Sequence, residues 1–340
     1  MKILIVKLSA IGDVLQATAC AYYLKQHYPK AEIHWAVQAP VIELLSILEP
    51  IKKTIPCHVK QWIKKPFGKM IRNELSRLRQ ENYDIVFDLQ GNSKSALVTL
   101  LARGKKKVGF SWSQCPEKLN VFATNERYSV DLSKNMRQQY LELVARACHK
   151  EIKLPTIQQK SIQHVNARKK FLVAPFSKWK SKQLSQALLV ELLNRLIQKI
   201  DCKLYFVYGT DQEKQEALQL VQHFDDRAVL LPSMSLNQLH GELKQMDGLI
   251  AMDSSLLHLA DLANIRTFSF FGPSSAQKFR PLGDKHGHFQ GSCPFKVLFN
   301  KRCPYLRTCK SAPCLHKPDE THLQETFLNW LSKEFLHESI

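Results

Sequence analysis

The first sixteen residues, MKILIVKLSAIGDVLQ, limit what this chain can fold into more than any other stretch. Lys2–Lys7 reads as a buried strand, and it runs through a loop of small residues into an amphipathic helix that opens at Gly12-Asp13. That is the first βα turn of an open α/β sheet, in which ligands sit at the C-terminal ends of the strands. Only Gly12 in this loop is a glycine, so the three-glycine dinucleotide fingerprint is absent. The chain instead sets one carboxylate, Asp13, at the helix mouth. An acid there also caps a helix and complements its dipole, so this residue alone does not separate capping from chemistry.

The strand-helix alternation continues. Glu32–Val37 and Asp84–Leu89 read as strands, with helices near Val41–Leu48 and over Lys69–Arg79, Ser93–Ala102 and Met136–Ala147 and a short strand at Lys107–Phe110. A polar stretch, 151–170, reads as a linker. The pattern then restarts with strands at Phe171–Ala174, Lys203–Tyr208, Val229–Leu231, Gly248–Met252 and Thr267–Phe271, the last clear one. The expectation is two doubly wound, Rossmann-like domains, 1–150 and 171–320, facing across a cleft. A final helix from 321 onward is expected to pack back on the first.

Charge narrows the partners. The 340 residues carry 49 Lys and Arg against 30 Asp and Glu, a net +19, so the partner is anionic. Between Pro50 and Asn73 there is no acid, but Lys52, Lys53, Lys60, Lys64, Lys65, Lys69 and Arg72 interleave with Trp62 and Phe67. Arg103, Lys105, Lys106 and Lys107 form a second cluster. Basic residues among aromatics suit an anionic membrane surface, where each contributes roughly 1 kcal/mol. No zinc-finger, RNA-recognition or helix-turn-helix signature points to nucleic acid. With no apolar run long enough to span a bilayer and no signal-peptide pattern, the expected location is cytoplasmic. Five of the nine cysteines are scattered as reduced thiols would be. Cys293, Cys303, Cys309 and Cys314 crowd one segment whose spacing lacks a tight CxxC pair, so reduced structural thiols fit better than zinc.

Each turn of the second half carries polar groups at a strand end. Pro175–Lys182 supplies Ser177, Lys178, Lys180, Ser181 and Lys182, a setting for phosphate. Glu213 could accept ribose hydroxyls. Asp253-Ser254-Ser255 opens a helix toward the same crevice, with Asp253 expected to orient its own loop or a sugar hydroxyl rather than face a diphosphate. Gly272-Pro273-Ser274-Ser275 closes the set.

Six segments then carry a resemblance: Val6–Gln16, Glu81–Gly104, Ser181–Gln183, Leu231–Leu236, Met252–Ala260 and Phe270–Ser275. Together they resemble family 9 glycosyltransferases, the ADP-heptose:lipopolysaccharide heptosyltransferases, and above all the branch that adds the first heptose to the Kdo residues of lipid A. The resemblance implies a GT-B fold, the donor ADP-L-glycero-D-manno-heptose, an anionic Kdo-lipid A acceptor at the inner face of the inner membrane, and no cofactor. By position, Asp13 resembles the general base and Lys182 the lysine at the donor phosphates. Glu213 matches the glutamate at the ribose, Met234 lines the adenine pocket, and Asp253 and His258 belong to the donor motif. Lys94 resembles an acceptor-side cation, and Lys60 and Lys64 of the basic segment are expected beside it.

There are departures from the family pattern. Ser254-Ser255 stands for Thr-Gly, Gln183-Leu184-Ser185 for Arg-Trp-Pro, and Cys115 for an acceptor-side arginine, with Arg137 and Lys118 available to compensate. No Asp-x-Asp pair ends a strand, so cations and helix dipoles are expected to stabilise the departing diphosphate, with inversion at the anomeric carbon. Two other readings stay open. One is transfer within the family from another nucleotide sugar or to another acceptor, second-heptose addition included. The other is non-catalytic nucleotide or nucleic-acid binding.

Overall fold

The computed structural model describes residues 1–64, 68–155 and 168–336. The chain divides into two compact units, Met1–Ile157 and Gln158–Ile340, and the division falls inside the polar stretch. Lys65 and Phe67 of the basic segment lie outside the described residues.

The first unit runs β1 (Lys2–Val6), α1 (Ile11–His27), β2 (Glu32–Val37), α2 (Ile42–Ser46), β3 (Lys53–Pro56), α3 (Val59–Lys64), α4 (Lys69–Arg79), β4 (Asn82–Asp88), α5 (Ser93–Leu101), β5 (Arg103–Phe110), β6 (Glu126–Tyr128) and α6 (Met136–Ala147). Its strands form one parallel sheet in the order β3-β2-β1-β4-β5-β6. Ile3, Leu4, Ile5 and Val6 of the central strand have no exposed surface, as helices on both faces require. Residue type also fixes the helix starts: Asn92 caps α5 by accepting from the N–H groups of Lys94 and Ser95, and Asn135 caps α6.

The second unit repeats this order with β7 (Lys169–Ala174), α7 (Gln186–Lys199), β8 (Cys202–Phe206), α8 (Asp211–Val221), β9 (Ala228–Leu230), α9 (Leu236–Leu243), β10 (Gly248–Met252), α10 (Ser255–Leu262), β11 (Arg266–Phe271), α11 (Ala276–Phe279), β12 (His286–Gln290), α12 (Pro313–His316) and α13 (Glu320–Leu331). Its parallel sheet is ordered β12-β11-β10-β7-β8-β9. Both units therefore have the Rossmann order, with a topological switch between β1 and β4 in one and between β7 and β10 in the other.

Three strands lie outside the alternation expected from sequence: β3, β6 and β12. All are edge strands with few buried residues, so they show no continuous apolar run. Strand β5 begins four residues earlier than expected, because Asn82 of β4 pairs with Arg103.

The final helix is built into the second unit. Leu323, Phe327, Trp330 and Leu331 of α13 are buried in the second unit's own core with Phe171 and Phe268. Gly287 of β12 makes room for it, since a Cβ there would lie 2.6 Å from the Trp330 ring. The indole N–H then donates to the Lys285 carbonyl at 3.1 Å. This apolar face has its partner within its own unit.

His240 lies in α9 with 2% of its surface exposed, and its Nε2 has no hydrogen-bond partner among the described residues. Burial, then the Lys244 charge, lowers its pKa from 6.5 to about 4. The unfolded chain therefore binds the extra proton more readily. Stability from the neutral ring is fully present above pH 6.5 and is lost as pH falls toward 4. Chemical denaturation across pH 4–7 should show this decline, and His240→Phe should flatten it.

Candidate active site

In the first unit, functional groups gather where β1 and β4 end. Asp88, the last residue of β4, is fully buried. One carboxylate oxygen accepts from the N–H groups of Gln90 (3.0 Å) and Gly91 (2.9 Å), and the other from Thr99 Oγ1 (3.1 Å) and Asn120 Nδ2 (2.6 Å). Gly91 turns the chain at φ +74°, a conformation that suits glycine. The Gln90 side-chain amide oxygen, held there, accepts from the N–H groups of Leu8 (2.7 Å) and Ser9 (3.1 Å). These are the backbone donors that would otherwise face a ligand at the switch point.

Asp13 follows in the first turn of α1, half-buried, with Oδ2 3.5 Å from the Ala10 N–H. Lys7 is buried beside this loop; its ammonium donates to the Leu89 carbonyl (3.1 Å) and the Tyr140 hydroxyl (2.9 Å). Lys94 is half-buried in the first turn of α5, close enough to Glu117 to lower that acid's pKa after the Ser93 hydrogen bonds. Lys60 and Lys64 are exposed on α3. Cys115 is buried, with Sγ 3.4 Å from the Gly91 carbonyl oxygen. Arg137 is buried in α6, and Lys118 donates to the carbonyls of Trp112 and Ser113.

The basic segment is less uniform than its sequence suggests. Trp62 is 5% exposed and donates to Glu74 at 2.7 Å, while Glu74 also accepts from the His58 N–H and ring. This tryptophan is therefore a core residue, not a surface aromatic. In the second cluster Lys106 pairs with Glu126 at 2.7 Å and Lys107 donates to the Leu100 carbonyl, leaving Arg103 and Lys105 as its exposed cations.

In the second unit a cavity of about 190 Å³ lies at the ends of β7 and β8 and the start of α10. Five of the expected residues line it: Ser177, Lys178, Glu213, Ser254 and Ser255. The Glu213 carboxylate accepts from the Gly209 N–H at 2.7 Å. The Ser254 hydroxyl is buried with no hydrogen-bond partner among the described residues, at the N-terminus of α10. A helix start with an unused hydroxyl and a lysine (Lys178) in the same wall suits an anion. The cavity is smaller than the roughly 300–1,000 Å³ that encloses a drug-sized ligand, so it can take in only part of one. Phe176, Tyr208 and Leu239 supply apolar wall that polar-residue patterns did not single out.

In the same unit, Lys182 and Asp253 form an ion pair at 2.5 Å, with side chains 11% and 9% exposed. Ser274 donates to the same carboxylate oxygen, and Ser177 Oγ to the Asp253 carbonyl at 3.2 Å. Asp253 thus anchors Lys182 and its own loop. Met234 is half-buried in the loop before α9 and His258 is buried within α10; neither is among the cavity-lining residues. All nine cysteines are free thiols, and among the described residues no three or more His, Cys, Asp or Glu are arranged to hold a metal ion. No described helix is long and apolar enough to cross a membrane.

Two Rossmann-type sheets, the second with an anion-suited cavity at its switch point, have the two-domain pattern of the GT-B fold. Residues 71–307 match the profile of glycosyltransferase family 9 (heptosyltransferase), and the chain belongs to that family and is a glycosyltransferase. It is 27% identical over 305 residues to lipopolysaccharide heptosyltransferase 1 of Campylobacter coli, covering 82% of this chain and 87% of that one. Identity to the Pseudomonas aeruginosa protein of the same name is 24%, over 91% and 89%. The solved Escherichia coli heptosyltransferase WaaC with ADP has the same fold, with a TM-score of 0.77 at 21% identity, covering 96% of this chain and all of that one.

Breaking the buried pair should cost more than removing it. Lys182→Met strands the Asp253 carboxylate and should destabilise the second unit by about 3 kcal/mol. Lys182→Met combined with Asp253→Asn should recover more than half of that in urea titrations.

Proposed function

We propose that this protein transfers heptose from ADP-L-glycero-D-manno-heptose to the Kdo residues of lipid A, with inversion at the anomeric carbon and at the inner face of the inner membrane. The observation that carries this reading is family membership together with an anion-suited cavity at the second switch point. The sequence likeness to proteins named heptosyltransferase 1 supports the first-heptose assignment.

In this reading the first unit receives the acceptor and the second the donor. Asp13 takes the proton from the acceptor hydroxyl as its oxygen attacks the anomeric carbon opposite the diphosphate. The bond from that carbon to the phosphate oxygen breaks, and ADP departs. The Ser254 hydroxyl, the N-terminus of α10 and Lys178 receive the developing negative charge, with Lys182 drawn from Asp253 toward the phosphates. Glu213 accepts the ribose hydroxyls, Met234 borders the adenine, and His258 supports the α10 turn. Lys60, Lys64 and Lys94 receive the anionic acceptor. The mechanism needs no metal, because these groups carry the leaving-group charge.

Asp13→Asn should lower turnover at least 100-fold, the scale of a lost general base. ADP affinity, measured by calorimetry, should stay within threefold. Near-normal turnover would reject the base. Turnover of UDP- or GDP-sugars in preference to the ADP-sugar would reject the donor assignment.

A further inference from the structure

The edge of the first unit that carries Asp13 also carries apolar side chains turned to solvent. After β5 the chain forms the loop 111–117 and a 3-10 turn at Lys118–Ala123. In that turn Leu119 and Phe122 are 70% and 71% exposed, and Trp112 beside them is 55% exposed. Residues i and i+3 of a 3-10 turn eclipse one another, so Leu119 and Phe122 share a face. The Trp112 and Phe122 rings meet edge to face at 6.2 Å.

This exposure is held in place. Asn120 and Val121 of the same turn are buried, at 1% and 4%, and the Asn120 amide donates to Asp88. Glu117 accepts from the Ser93 N–H at the start of α5, and Lys118 donates to the Trp112 carbonyl. The inward half of the loop is anchored, so the outward half stays in water.

At the same edge, two strands from β1 on the other side, α3 follows β3 and exposes Ile63 (68%) between Lys60 and Lys64. With strands about 4.8 Å apart, the ends of β3 and β5, from which these two segments lead, stand roughly 10 Å to either side of the β1 end. Apolar side chains flanked by lysines match an anionic lipid interface, where aromatic rings sit at headgroup depth and cations pair with phosphate. An apolar patch on one protein face also marks interaction surfaces in general.

We propose that Trp112, Leu119 and Phe122, with Ile63, Lys60 and Lys64, form a membrane-docking surface that inserts into an anionic bilayer and turns the Asp13 loop toward it. This rests on the proposed function for its purpose, since the acceptor there is a lipid. It moves the membrane contact away from Trp62, which is buried.

The test uses the full chain and vesicles of phosphatidylethanolamine with 30% phosphatidylglycerol. Trp112→Ser/Leu119→Ser/Phe122→Ser should weaken co-sedimentation at least tenfold and lower turnover of vesicle-embedded Kdo-lipid acceptor in parallel. Turnover of a deacylated, water-soluble acceptor should remain within twofold, which also shows that the variant is folded. Wild-type vesicle binding in the variant overturns the proposal. So does equal loss on the soluble acceptor, which would put the patch in the chemistry or against the chain's second unit. Dissociation of a wild-type dimer without change in vesicle binding overturns it as well, making the patch a contact between copies. If wild type fails on the soluble acceptor, the functional reading fails, while the vesicle measurement still decides the docking surface.

Discussion

In both units the edge that carries the polar loops is held by a buried carboxylate at the end of the fourth strand. Asp88 ends β4, and Asp253 follows the last residue of β10. Each sits where the strand order reverses, and each gathers donors from segments that would otherwise spread apart. Asp88 does so with four neutral donors, and Asp253 with an ammonium and a hydroxyl. A carboxylate taken from water is costly unless its lone pairs are filled, and here they are. The loops around it are therefore fixed before any ligand arrives.

The two switch points then diverge. In the first unit the Gln90 side chain occupies the N–H groups of Leu8 and Ser9, so the backbone there is already satisfied and Asp13 is the group left at the mouth. In the second, the Ser254 hydroxyl lacks a partner beside a cavity. One fold, used twice, yields one edge offering a carboxylate and another offering donors. The proposed transfer chemistry needs both.

The central strands were legible in the sequence because burial on both faces leaves a continuous apolar run, as in KILIV and GLIAM. The edge strands KTIP, ERY and HGHFQ were not, because a strand with one neighbour and a wet side carries charges. Serines and acids after strand ends could be picked out by position, and Ser177, Glu213, Ser254 and Ser255 do line one cavity. The pairing of Lys182 with Asp253 spans two strands and a helix face, and no local pattern encodes it. The same holds for Trp62. Its surroundings read as a basic surface until Glu74, one turn into the next helix, is seen to turn inward and take its N–H.

The place of α13 bears on how the protein is made. Phe171 on β7 packs against Phe335, and their ring centroids are 5.0 Å apart. About 160 residues separate them. At ribosomal speeds of about 5–20 residues per second, β7 waits roughly 10–30 s for the segment that shelters it. The first unit is complete sooner, since its last helix ends at Ala147. Nascent chains thus pass through an interval in which one half is finished and the other holds a bare apolar strand, the species that chaperones and proteases meet first.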